Sequence, residues 1–209
     1  MSKLSDFWPS GTGTPLRVVT YASGTGTFTP LVDQSRCMVR LQAGGQGGQA
    51  GQGTTGGAGG QAGAFVEVFI RAPIAGLAYA VGAGSADRNS YGSPTSLGGF
   101  AAGPFVTRAG CLPTNGGAGG VSDGSTYATN GSTGSSFGGP PGGTGGPANG
   151  DTQGGGGGGG SSFFGTGGSG TTGVGGAGTG YGAGGAGGRG ASAGGAGSGG
   201  YIEIWEFGA

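Results

Sequence analysis

Residues 44–70 read GGQGGQAGQGTTGGAGGQAGAFVEVFI and place two kinds of structure side by side. Residues 44–64 divide into seven triplets, GGQ-GGQ-AGQ-GTT-GGA-GGQ-AGA, and six of the seven have glycine in the middle. Residues 65–70 then alternate with a period of two, with valine and isoleucine on one side and phenylalanine and glutamate on the other. That alternation is typical of a strand with one face in a core. The stretch therefore predicts β-strands joined to a repetitive glycine structure.

Five short segments rich in β-branched and aromatic residues predict strands. They are residues 16–21, 25–29, 37–41, 65–70 and 201–207. The last of them lies beyond the longest glycine tract, and a strand this apolar needs to pair with the N-terminal strands. No window of comparable strength has helical spacing, and glycine and proline punctuate every gap. The sequence therefore predicts an all-β chain whose two ends meet.

The glycine triplets predict a different structure. Stepping by three from Gly167 to Gly200 meets glycine at ten of twelve places, the exceptions being Thr179 and Ala191. A period of three is that of the polyproline II helix, but ten prolines and broken registers exclude collagen. Extended glycine helices make no internal hydrogen bonds, so neighbouring segments must bond to one another and the chain must fold back at the interruptions. A flexible glycine-rich linker is the alternative.

The expected fold class is therefore all-β, with a β-sandwich-like base and an inserted glycine-rich polyglycine-II-type helical bundle. Three parts are expected along the chain. They are an N-terminal arm (residues 1–15), the β-sandwich base with the glycine-rich loop 43–64 (residues 16–112 plus 201–209), and the polyglycine-II-like region (residues 113–200).

Composition excludes several classes of function. The 209 residues include 65 glycines, eight basic and eight acidic residues, and no histidine. Without histidine there is no Ser-His-Asp or Cys-His catalytic pair, so we expect no enzyme and no cofactor. The balanced charge offers no basic stripe for nucleic acid. No apolar run approaches the about 20 residues of a membrane helix, and the N-terminus has no secretion signal, so we expect cytoplasmic synthesis without membrane insertion.

The two cysteines, Cys37 and Cys111, are too few for a disulfide scaffold. Buried free thiols are the expectation.

The order of several short motifs carries a resemblance. The motifs are Thr-Phe-Thr-Pro at 27–30, Val-Arg-Leu-Gln-Ala-Gly-Gly at 39–45, Gly-Ala-Phe-Val-Glu-Val at 63–68, Val-Gly-Ala-Gly at 81–84, Ser-Leu-Gly at 96–98 and Gly-Tyr-Ile-Glu-Ile-Trp at 200–205. In this order they resemble the glycine-rich domain of tailed-bacteriophage tail-fibre and tail-tip proteins, and the match covers nearly all of residues 16–207. The chain is also similar in principle to the polyglycine-II adhesins of T-even-like phages, although it has fewer aromatic loop residues.

The resemblance implies a non-enzymatic component of the virion tail, made in the cytoplasm of the bacterial host. It implies a tail-fibre or tail-tip adhesin, with other phage tail proteins and a bacterial surface glycan or outer-membrane protein as partners. Analogy with fibre tips implies a homotrimer. A purely structural tail protein with no host contact is the first alternative, and cell binding separates the two. An ice-binding protein is the second alternative, disfavoured because the outward triplet residues are irregular.

Aromatic residues that interrupt the glycine tract are the candidate receptor-binding residues. They are Tyr127, Phe137, Phe163, Phe164 and Tyr181. Rings on a rigid support supply large contact areas, including stacking on sugar rings, at a low entropy cost. The alternative is that these rings pack back onto the base as its lid.

The N-terminal arm offers a second candidate surface. Phe7 and Trp8 are candidate tail anchors, with packing against their own domain as the alternative. The acidic residues Asp87, Asp123 and Asp151 have no calcium-loop spacing, so they are expected to be solvated turn residues and no metal site is predicted.

Overall fold

The computed structural model describes residues 14–52, 56–70, 76–98, 100–102, 126–129, 132–137, 156–170 and 173–208. About a third of the chain in these ranges is strand, in antiparallel sheets. The strands are β1 (Arg17–Tyr21), β2 (Thr25–Phe28), β3 (Arg36–Gln42), β4 (Phe65–Ile70), β5 (Leu77–Ala80), β6 (Thr95–Leu97), β7 (Phe100–Ala102), β8 (Thr126–Thr129), β9 (Ser132–Phe137), β10 (Phe164–Thr166), β11 (Thr179–Tyr181) and β12 (Tyr201–Phe207). The five strand segments expected from the sequence are confirmed as β1, β2, β3, β4 and β12, to within one residue at each end.

The largest sheet has six strands in the order β1-β12-β3-β4-β9-β8. The C-terminal strand β12 lies between β1 and β3, so that Ile204 is opposite both Val19 and Val39. The prediction that the terminal strand pairs with the N-terminal strands is therefore confirmed. This pairing ties the two ends of the described chain into one sheet.

The main core joins the six-stranded sheet to a four-stranded sheet of order β2-β5-β6-β7. Alternate residues of β3 and β12 are buried, as the period-two pattern predicts. Val39 and Ile204 from these strands belong to the same buried cluster as Phe28 of β2 and Leu97 of β6. Cys37, a member of this cluster, is a free and buried thiol as expected, whereas Cys111 lies outside the described residues.

The glycine-rich segments 43–52, 56–64 and 182–200 lie side by side and are joined by backbone hydrogen bonds. Their N–H groups donate to carbonyl oxygens of one neighbour at three-residue intervals: Gln46 to Gln61 (2.8 Å) and Gln49 to Ala58 (2.9 Å), then Gly48 to Gly195 (2.7 Å) and Gly51 to Ser192 (3.0 Å). A third neighbour is reached from the remaining place of the triplet, since Gly44 N–H donates to the Ser93 carbonyl (3.1 Å). The chain turns back at residues 189–192, where Ser192 N–H donates to the Arg189 carbonyl (2.9 Å), and this turn contains one of the two interruptions of the triplet register.

The prediction of an inserted polyglycine-II-type helical bundle is wrong. The described residues contain no helix, and their strands form several small antiparallel sheets. The region expected to form the bundle supplies β8 and β9, which extend the six-stranded sheet beyond β4, and the hairpin strands β10 and β11. The glycine segments also continue the strands, since Ala43 N–H donates to the Ala64 carbonyl (2.9 Å) just beyond the β3–β4 ladder.

The physical reason lies in the backbone groups that a sheet leaves open. An edge strand and a bare glycine segment both carry unpaired N–H and C=O groups, and each can satisfy the other. The periodicity of the glycines predicts a separate helical unit, but the backbone bonds between neighbouring glycine segments also join these segments to the sheet.

Candidate functional site

A row of three charged side chains crosses the centre of the six-stranded sheet. Arg40 of β3 is directly opposite Glu67 of β4 and Glu203 of β12. Residues directly opposite one another on antiparallel strands share a face of the sheet. Arg40 Nε donates to Glu67 Oε2 (2.7 Å), and Arg40 Nη1 donates to Glu203 Oε2 (3.2 Å). The row therefore holds one guanidinium between two carboxylates.

The ionic contacts hold Arg40 in its charged form. Partial burial by itself would lower the pKa of Arg40, but the hydrogen bonds and ion pairs with Glu67 and Glu203 outweigh it and leave the pKa raised. All three side chains are partly buried, which limits screening by water. The guanidinium is consequently fixed in position as well as charged.

Two aromatic rings flank this row. The Arg40 guanidinium carbon lies 5.7 Å from the centroid of the Phe163 ring and 5.9 Å from the centroid of the Trp205 ring. A cation at about 6 Å or less from an aromatic face is attracted by the ring's electron density. Arg40 therefore links the charged row to rings from β12 and from the segment just before β10.

Five further ring contacts extend from Phe163 across the sheet, forming what we call the aromatic cluster: Phe65, Phe163, Phe164, Tyr181 and Tyr201. The centroid distances are 4.4 Å for Phe65–Phe163 (stacked), 5.9 Å for Phe65–Phe164 (edge to face), 4.9 Å for Phe163–Phe164 (edge to face), 4.9 Å for Phe164–Tyr201 (edge to face) and 4.4 Å for Tyr181–Tyr201 (stacked). Offset stacking and edge-to-face packing are the arrangements that aromatic pairs prefer. The charged row, Trp205 and the aromatic cluster together are called the Arg40 face below.

Phe163 is the most solvent-exposed ring of the cluster. The Phe163 residue is 61% exposed although its ring stacks on Phe65, which is only 4% exposed. One side of the Phe163 ring therefore covers Phe65, and a large part of the ring remains in contact with water.

Tyr201, at the other end of the cluster, has a raised pKa. Burial is the largest cause, and the nearby Glu203 and Tyr181 raise the pKa further, whereas a hydrogen bond with Thr20 lowers it.

A hairpin built on glycine holds Phe163 in place. Phe164 of β10 pairs with Tyr181 of β11. Ser162 N–H donates to the Gly165 carbonyl (2.9 Å), and the Ser162 hydroxyl donates to the Tyr181 carbonyl. Tyr181 itself lies between Gly180 and Gly182, whose φ angles of +70° and +71° are in the left-handed region that glycine accepts most readily. The loop that carries Phe163 is therefore held by backbone bonds on both sides.

Three of the five candidate receptor-binding residues, Phe163, Phe164 and Tyr181, are thus brought together in one cluster. Tyr127 lies on β8 and Phe137 on β9, where the backbone of Phe137 is opposite Phe65. The candidate anchors Phe7 and Trp8 lie outside the described residues. The receptor-binding role of the five aromatic residues and the anchoring role of the other two stay predictions.

The rings of the aromatic cluster also pack on the sheet, which was the alternative interpretation. Phe164 contacts Phe65 and Tyr201 and is half-buried. Phe163 combines the two roles, since it packs on the sheet through Phe65 and remains largely exposed.

Sequence reasoning missed the other six residues of this face. None of Arg40, Glu67, Glu203, Trp205, Phe65 and Tyr201 was a candidate. A usable signal was present, because Arg40, Glu67 and Glu203 each stand near the middle of an expected strand. The charge of the arginine is opposite to that of the two glutamates. Only the position of β3 between β4 and β12 and the register of these strands bring them together, and neither was predicted.

Of the three acidic residues considered for calcium, only Asp87 lies in the described part of the chain. No group of three or more His, Cys, Asp or Glu side chains there could hold a metal ion. Asp87 is a turn residue, as predicted: its Oδ1 accepts hydrogen bonds from the backbone N–H of Asn89 (2.8 Å) and of Ser90 (3.2 Å). Asp123 and Asp151 lie outside the described residues.

The described part of the chain contains no helix with the length and apolar character needed to cross a bilayer. Comparison with protein-family models finds no match, and comparison with curated proteins finds no similar chain.

Proposed function

We propose that the protein is a non-enzymatic component of a bacteriophage tail that contacts the bacterial surface through the Arg40 face, with a surface glycan as its receptor. The assignment to the virion tail rests on the order of motifs that resembles the glycine-rich domain of tail-fibre and tail-tip proteins. In this proposal other tail proteins hold the chain at the distal end of the tail, and a trimer multiplies its weak contacts.

The exposed ring of Phe163 is the observation that supports glycan contact. The ring is 61% exposed, is backed by the buried Phe65, and is carried by a hydrogen-bonded hairpin. A ring fixed in this way can stack on a sugar with little loss of conformational entropy. The carboxylates of the adjacent charged row supply hydrogen-bond acceptors for hydroxyl groups.

Binding of the fluorescently labelled full chain to a panel of bacterial strains tests this proposal. We expect saturable binding to some strains and about tenfold weaker binding by the Phe163→Ala variant, because stacking on an aromatic ring contributes about 1 kcal/mol per contact and several copies act together. Val174→Ala is the matched control, since Val174 is an apolar side chain outside the Arg40 face with a similar exposure of 63%.

Two outcomes would contradict the proposal. A folded protein that binds no strain would favour a structural tail component without host contact. Equal losses for Phe163→Ala and Val174→Ala would show that binding does not depend on the Arg40 face. Circular dichroism and thermal melting of each variant check that it is folded.

A further inference from the structure

The charge of the Arg40 face limits what kind of glycan can bind there. An arginine whose donors are free binds acidic groups well, because its planar guanidinium matches the geometry of a carboxylate. Here Arg40 Nε and Nη1 are already directed at Glu67 and Glu203, at 2.7 Å and 3.2 Å. One cation and two carboxylates leave the row with a formal charge of −1. An acidic ligand would therefore meet two carboxylates and one arginine whose positive charge they already outweigh.

The same carboxylates are well placed for uncharged sugars. Each uses its Oε2 atom on Arg40, and among the described residues no donor is found for the Oε1 atom of either. A carboxylate oxygen accepts hydrogen bonds from sugar hydroxyls and from the N–H of an acetamido group. Phe163 lies against Arg40, so a sugar stacked on this ring would have the charged row beside it.

We infer that the Arg40 face selects saccharides that carry no acidic group, recognising hydroxyl or acetamido groups through Glu67 and Glu203 while Arg40 holds those two carboxylates in position. This inference rests on the proposed glycan-binding function and adds the chemical class of the ligand. It assigns Arg40 as a positioning residue and not as the anion-binding residue that its position beside the ring suggests.

The first test measures binding of the full wild-type chain to immobilised oligosaccharides in matched pairs, one neutral and one containing uronic acid in the same linkage and length. We expect at least about tenfold stronger binding to the neutral member of each bound pair. Binding to the neutral member should also change little as NaCl is raised from about 0.05 to about 0.5 M, because no net charge on the ligand is neutralised.

The second test changes the charge of the row. The Glu67→Gln/Glu203→Gln variant converts its formal charge from −1 to +1 and releases Arg40, so we expect the preference for the neutral member to fall by about tenfold or to reverse. Asp33→Asn is the control, since Asp33 is an exposed acidic residue in the β2–β3 loop, outside the Arg40 face. This control should keep the wild-type preference.

The possible failures are distinguishable. Equal or stronger binding of the wild type to the acidic members, or binding that weakens several-fold as salt is raised, overturns the inference and leaves glycan binding intact. If folded wild-type protein binds cells but no saccharide, glycan recognition itself fails and a protein receptor replaces it. The salt dependence uses only wild-type protein, so the inference stays testable if the double variant does not fold.

Discussion

Cys37 is a buried residue whose ionisation makes both its own reactivity and the stability of the protein depend on pH. Burial, with a smaller contribution from Glu206, raises the pKa of its thiol from 9.0 to about 12. The folded protein therefore favours the neutral thiol, and the thiolate needed for alkylation is scarce. In a Cys111→Ser background, iodoacetamide at about pH 8 should label Cys37 only after denaturation. Mass spectrometry measures the labelled fraction, and rapid labelling of the folded protein would contradict the buried position.

The raised pKa also predicts the direction of a stability change. A pKa raised in the folded state stabilises the protein fully below the unfolded pKa of 9.0, and this contribution is lost as the pH rises toward about 12. The free energy of unfolding of the Cys111→Ser protein, relative to that of the same protein with Cys37→Ala, should therefore decrease above about pH 9. If this difference in the free energy of unfolding stays constant from neutral to strongly alkaline pH, the pKa of Cys37 is not raised in the folded protein.

Residues of the Arg40 face differ in how far the sequence could predict them. Phe163 stands out locally, because two phenylalanines follow a run of glycines and serines. Arg40 does not, because its partners Glu67 and Glu203 are 27 and 163 positions away along the chain. Charge and ring contacts of this kind follow from strand order and register, which local patterns do not determine.

At the scale of elements, the glycine segments are held by the close approach of their backbones. A Cβ added at Gly48 would overlap the carbonyl oxygen of Ala186, and Gly48 N–H donates to the Gly195 carbonyl (2.7 Å). Gly48→Ala should therefore lower the free energy of unfolding by about 2 to 3 kcal/mol, because backbone on neighbouring segments must move apart. Urea unfolding followed by circular dichroism measures the change.

Gly173→Ala is the control for this substitution. An added Cβ at Gly173 meets no atom within 4 Å, so the alanine variant should retain the wild-type free energy of unfolding to within about 0.5 kcal/mol. Equal destabilisation by both substitutions would indicate that loss of glycine flexibility, and not the backbone contact at Gly48, determines the effect.

Strands were predictable from the sequence where their side chains are β-branched or aromatic, and were missed where they are not. β4 and β12 have strong period-two patterns, and their bounds were predicted correctly. β9 reads STGSSF and has little strand propensity, yet it pairs with β4 along five residues. β9 pairs with β4 because the edge of β4 would otherwise carry unpaired backbone N–H and C=O groups. This need arises only once the sheet has assembled, so the local sequence of β9 does not reveal it.

At the scale of the whole molecule, glycine segments and strands are continuous along the chain. Segments 43–52 and 56–64 connect β3 to β4, and segment 182–200 leads directly into β12. The first and last of these segments bond to each other, as in the bond from Gly45 N–H to the Ser198 carbonyl (2.9 Å). Loss of the glycine segments would therefore remove support from the central strands of the six-stranded sheet. Loss of the sheet would likewise remove support from the glycine segments.

We expect the glycine segments and the six-stranded sheet to unfold in one transition. In a Trp8→Phe variant, Trp205 on β12 is the only tryptophan, and its fluorescence reports the sheet. Hydrogen exchange followed by mass spectrometry on peptides from residues 43–52 and 182–200 reports the glycine segments. Both probes should give free energies of unfolding that agree within about 1 kcal/mol, and Gly48→Ala should lower both equally. Exchange of the glycine peptides at a much lower free energy than the Trp205 transition would mean that the glycine segments open independently, leaving Phe163 on a support too weak to hold its ring against a receptor.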